Sequence, residues 1–109
     1  MALEIDENFH EARRYCVILF DIVEDYSSML YYANILKSKA GSGYDYYLAG
    51  MSNYRKSNYD IALKDFRKSM DLGYDSHSNY YYMGWSYYAK NFNNEAIAHF
   101  TAAIKEAKR

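Results

Sequence analysis

Few side chains in this sequence have the type and spacing that chemistry requires. His10-Glu11 opens in the manner of a zinc-binding helix, but Ala12-Arg13-Arg14 follow, and the second His that would complete the metal pair is missing. His77 and His99 are far apart and sit among polar and helix-face residues, where surface or capping roles are the ordinary reading. Gly41-Ser42-Gly43 lacks the Lys that a phosphate-cradling loop uses. No Ser, His and Asp fall into a recognisable catalytic pattern. The sequence is therefore read as non-enzymatic, with no metal site and no cofactor. Cys16 is the only cysteine, so no intrachain disulfide can form, and its place in an apolar stripe suits a small buried residue. The chemistry that remains is that of contact. The 109 residues include fifteen Tyr, five Phe and one Trp, and Tyr and Trp join a rigid apolar body to a polar tip, as binding hot spots require.

The elements that hold these aromatics recur. Residues 46–70 moved forward by 34 fall on residues 80–104 without a gap: Tyr46 on Tyr80, Gly50 on Gly84, Ser52 on Ser86, Tyr54 on Tyr88, Ala62 on Ala96 and Phe66 on Phe100. A fixed period of this length marks stacked structural repeats. Within each unit Tyr46, Gly50, Asn53 and Tyr80, Gly84, Tyr87 form one helical stripe, and Ala62, Phe66, Met70 and Ala96, Phe100, Ile104 form a second. Gly inside a helix costs about 1 kcal/mol relative to Ala, so Gly50 and Gly84 predict close approach by another helix. Polar breaks at Ser57-Asn58 and Asn91-Phe92-Asn93 separate the stripes, and their Asn side chains are predicted to cap the following helices. Gly73 is predicted to end its helix in the left-handed conformation.

These residues resemble the tetratricopeptide repeat family. The family pattern is matched by Tyr80, Met83, Gly84, Tyr87, Ala96, Phe100 and Ala103, and by Tyr46, Ala49, Gly50, Ala62, Phe66 and Ser69. Asn53 departs from the usual aromatic, and the closing proline is absent from a chain that has no Pro. The resemblance covers about residues 43–109. It implies an all-α fold of antiparallel helix hairpins stacked as a short right-handed superhelix, about three hairpins and six helices, in one domain spanning 1–109. Repeats are placed at 44–73 and 76–108, with a degenerate hairpin at 4–40. The same 34-residue shift sets Cys16 under Gly50, Ser28 under Ala62, Tyr32 under Phe66 and Leu36 under Met70. Glu24-Asp25 is the break inside that first hairpin, and Ala40-Gly41-Ser42-Gly43 the connection to the next.

In this family the first helix of each unit lines a concave surface. At 100° per residue, Tyr44, Tyr47, Met51 and Tyr54 lie about 110° from the packing stripe, and Ser78, Tyr81, Trp85 and Tyr88 repeat the arrangement. Carried over, the resemblance implies a peptide-binding groove walled by Tyr44, Tyr47, Met51, Tyr54, Arg55, Tyr81, Trp85 and Tyr88. Met51 and Trp85 stand where members that clamp a carboxylate tend to have Asn, so an apolar segment fits better than a charged terminus. The same rings could instead contact the chain's own N-terminal helix or another subunit. Tyr46, Tyr80 and Tyr87 are assigned to packing.

The last helix, read as about 94–108, carries Ile97, Phe100 and Ile104 with no capping helix after it. Either a partner covers that face or the chain continues, and homodimerisation through it is the self-association reading. The function expected is a protein-interaction module, adaptor or chaperone-like, with a self-assembling scaffold as the alternative. Net charge is −1 at pH 7, which leaves no basic footprint for nucleic acid. Charge is uneven, −5 through residue 25 and +4 beyond it, as solvated helix faces or as complementary ends for self-association. The run Cys16-Val17-Ile18-Leu19-Phe20 is too short to insert across a membrane. With no targeting signal in view, the cytoplasm is the default location.

Overall fold

A computed structural model describes the backbone of residues 2–108 and the side chains of residues 9–108. Six α-helices and, among the described residues, no strand make up the fold: α1 (Ala2–Ile22), α2 (Tyr26–Lys39), α3 (Gly43–Arg55), α4 (Tyr59–Asp71), α5 (His77–Ala89) and α6 (Asn93–Ala107). They pack as hairpins α1–α2, α3–α4 and α5–α6, joined in series through α2 against α3 and α4 against α5. The odd helices also pack together, α1 with α3 and α3 with α5, while α2 and α4 meet through the Lys37–Asp65 ion pair. Serial stacking makes the molecule long, 51 × 28 × 20 Å with a radius of gyration of 14.2 Å, against about 13 Å for a compact domain of about 100 residues.

Each hairpin turns the same corner. Glu24, Ser57 and Asn91 take the left-handed conformation at φ 61°, 64° and 66°. The next residue then donates its N–H back across the helix end: Asp25 to the Phe20 carbonyl (2.9 Å), Asn58 to that of Asn53 (2.8 Å) and Phe92 to that of Tyr87 (2.9 Å). These bonds satisfy carbonyls that a helix end leaves open. Between hairpins, Gly41 (φ 67°) and Gly73 (φ 94°) turn the chain, Gly73 as its sequence position predicts. The Asn capping prediction does not hold. Asn58 stands at the N-cap of α4 and Phe92 at that of α6, and neither makes a side-chain cap bond. Asn58 Nδ2 donates instead to Asn53 Oδ1 (3.2 Å), and Asn91 serves the turn through its backbone.

The two glycines sit where a side chain cannot. A Cβ on Gly50 would come within 2.6 Å of the Phe66 ring, and one on Gly84 within 2.8 Å of Phe100. The second helix of the middle and of the last hairpin thus presses its Phe ring against the backbone of the first.

The first hairpin obeys a different register from the one expected. Its corner at Glu24 precedes Ser57 by 33 residues, whereas Ser57 precedes Asn91 by 34. The buried residues agree: Met29, Ala33 and Leu36 occupy the places of Ala62, Phe66 and Ser69, and Val17 that of Gly50. One residue of slip turns a helix by about 100°, and accordingly Cys16, Ser28 and Tyr32 are only half-buried. Val17, Met29, Ala33, Leu36, Leu48 and Ala49 form one core cluster, and Ala62, Leu63, Phe66 and Met83 the next.

Candidate functional site

Polar ties between hairpins fix how the aromatic faces meet. Asp45 on α3 is fully buried and accepts from Arg14 of α1 at both oxygens (2.8 and 3.1 Å). It also closes a capping box with Ser42 at the start of α3. Burial alone would raise its carboxyl, but the Arg14 and Ser42 hydrogen bonds outweigh that and hold it below the usual value. Lys37 of α2 donates to Asp65 of α4 (3.1 Å), which also accepts from Asn53 (3.0 Å). Here burial outweighs the Lys37 charge, and the carboxyl is pushed up. Asn53, which departs from the aromatic pattern, therefore joins a buried polar chain across three helices. Arg55 donates to Asp21 of α1 (2.7 Å), and its guanidinium carbon lies 5.8 Å from the Tyr82 ring centre. It is engaged with its own chain.

The eight residues expected to wall one trough fall into two groups. On α3, Tyr44 and Tyr47 pack against Tyr74 (5.4 and 5.2 Å between ring centres), and Tyr47 also meets Phe66 (6.1 Å) and Tyr82 (6.4 Å). Met51 packs between both core clusters, and Tyr54 leans on Tyr59 and Tyr82. Burial pushes the Tyr47 hydroxyl up to about 12. This half of the set is taken up by packing between hairpins. On α5, by contrast, Tyr81, Trp85 and Tyr88 are exposed. They form an edge-to-face run, Tyr81 to Trp85 at 6.3 Å and Trp85 to Tyr88 at 5.7 Å. Tyr81 and Trp85 both stand against Phe100 of α6 (6.0 and 5.3 Å).

The difference between the groups follows from the repeat. Tyr47, Met51, Leu63, Phe66 and Met70 present one face of the middle hairpin, and α5 covers it. Their counterparts 34 residues on, Tyr81, Trp85, Ile97, Phe100 and Ile104, present the same face of the last hairpin, and no other described helix packs against it. Leu63 is 4% exposed and Ile97 64%. An apolar cleft of about 340 Å³ opens there, lined by His77, Tyr81, Phe100, Ala103, Ile104 and Ala107. The groove half on α5 and the self-association set Ile97, Phe100 and Ile104 are thus one continuous end face.

Tyr82 went unnoticed in the sequence. It stacks on Phe66 at 6.1 Å with the planes 11° apart, and it fills the middle hairpin's end face. Its counterpart 34 residues earlier is Leu48, fully buried at the junction before. That third stripe, facing the preceding hairpin, was the available signal. Tyr46, Tyr80 and Tyr87 are half-buried. Tyr80 and Tyr87 lie beside His99 (6.4 and 4.9 Å), and Tyr87 accepts a hydrogen bond from Arg67. No helix among the described residues is long and apolar enough to cross a membrane.

No protein-family model matches the sequence, and no curated protein matches it.

Proposed function

We propose that this chain is a non-catalytic protein-interaction module of the tetratricopeptide type, which seats a helical segment of a partner protein on its end face. One observation carries the reading: five positions that are covered by α5 in the middle hairpin recur in the last, four of them exposed (Tyr81, Trp85, Ile97 and Ile104) and Phe100 half-buried among them. A contiguous patch of aromatic and aliphatic side chains is uncommon on a monomer unless something docks there. The rings of Tyr81 and Trp85 stand edge-on to Phe100 and offer rigid area with little side-chain entropy to lose. The occupant this shape suits is an amphipathic helix, because a helix is what the equivalent face holds within the chain.

The test is capture by the immobilised chain, compared with Trp85→Ala and Ile104→Asp. Both residues are exposed, so the helical signal should be unchanged while capture is lost. Lys68→Ala, on an exposed position of α4, should capture as the native chain does. Capture that survives both end-face changes would refute the reading.

A further inference from the structure

We infer that the occupant of the end face is a second copy of this chain, docked head to tail through α1. The inference rests on the end face being a binding surface. It draws on the junctions inside the molecule, which show what such a face accepts. Each junction is filled from one side by a fixed stripe: Leu48 and Ser52 of α3 against the first hairpin, Tyr82 and Ser86 of α5 against the second. With the 33-residue register of the first hairpin, that stripe on α1 is Tyr15 and Leu19, with Ile22 one turn further. Leu48 and Ser52 are 1% and 0% exposed, whereas Tyr15 and Leu19 are each 59% exposed. The molecule therefore carries an unfilled seat at one end and, at the other, an unseated stripe of the kind that fills such seats.

Residue types agree with the fit. Tyr15 stands in register with Tyr82, whose ring stacks on Phe66, and the counterpart of Phe66 on the open face is Phe100. Tyr15 of one copy on Phe100 of the next would repeat a contact the chain already makes. Charge agrees as well, since the chain is −5 through residue 25 and +2 from residue 76 onward, which favours unlike ends over like ones. Pairing of two end faces with each other would leave the α1 stripe exposed on both copies. A head-to-tail contact leaves an open seat and an open stripe on a pair, and builds a ring or a filament, so assembly should pass beyond the dimer as concentration rises.

Sedimentation of the purified chain over rising concentration should show growth beyond the dimer. Leu19→Asp blocks the stripe and Ile104→Asp blocks the seat, and each alone should weaken association at least about tenfold. Mixed, the two variants should form a one-to-one dimer and nothing larger, because each retains the surface the other has lost. Tyr15→Ser repeats the first block with a smaller change should Leu19→Asp lose helical signal. A native chain that stays monomeric overturns the inference, as does a Leu19→Asp variant that still self-associates or a mixture that remains monomeric. If the native chain is monomeric yet captures another protein through Trp85, the binding surface stands and only its occupant is wrong. If capture is also indifferent to Trp85 and Ile104, both readings fall.

Discussion

Gly50 and Gly84 share a sequence position and a neighbour, yet they should respond differently to substitution. The Phe66 ring over Gly50 is fully buried between two hairpins, so a methyl at 2.6 Å has nowhere to push it. Gly50→Ala should destabilise the fold by about 1–2 kcal/mol in urea unfolding, overpacking exceeding the gain in helix propensity of about 1 kcal/mol. Phe100 over Gly84 borders the open face and can shift, so Gly84→Ala should change stability by less than about 0.5 kcal/mol. Both glycines were legible from the sequence, because a residue so poor in helix interiors recurs there only for a packing reason. Arg14 with Asp45 was not legible, since the partners lie 31 residues apart and pair only after two hairpins stack. The Asp45 carboxyl is held below its ordinary 3.8 in the folded chain, so its contribution is present above that pH and lost as pH falls through the folded value. Arg14→Met should cost about 3 kcal/mol near neutral pH, and less as pH falls and Asp45 becomes protonated. Asp65 acts in the opposite sense: its raised carboxyl favours folding at low pH, and that contribution is lost as pH rises through its folded value.

Helix entrances differ where the sequence is alike. Ser42 and Ser76 precede α3 and α5 at equivalent places, but only Ser42 closes a capping box. Ser76 Oγ and Asn79 Oδ1 are buried without a hydrogen-bond partner. Ser42→Ala should therefore lower stability by about 1 kcal/mol and Ser76→Ala by close to nothing, read from thermal unfolding of the two variants. Breaks between helices were legible because Gly, Asn and Ser cluster at the corners. The first hairpin was legible as a hairpin but not in register, for a steric reason. Its core exchanges large for small across the same contact, Val17 and Ala33 standing where Gly50 and Phe66 stand. The volume is conserved and the residue pattern is not, so matching by residue type slid to the neighbouring register.

At the scale of the molecule, the repeat predicts aromatic stripes but not which of them the stack consumes. A period read along the chain treats every unit as equivalent, whereas burial depends on whether another unit follows. Tyr47 and Met51 are covered because α5 comes next, and Tyr81 and Trp85 are open because no described helix takes that place. The trough expected from the sequence thus resolves into a packed junction and an open end. Trp85 is the sole tryptophan and stands on that end, so its fluorescence reports whether the seat is filled. Appending a further copy of residues 74–108 after α6, with its own Trp changed to Phe, supplies the missing hairpin directly. Trp85 emission should move to shorter wavelength, quencher access should fall severalfold, and the extended chain should melt in one transition above the native one. An indole as exposed as before, with the added hairpin melting separately, would mean that the end face is not built to receive a helix.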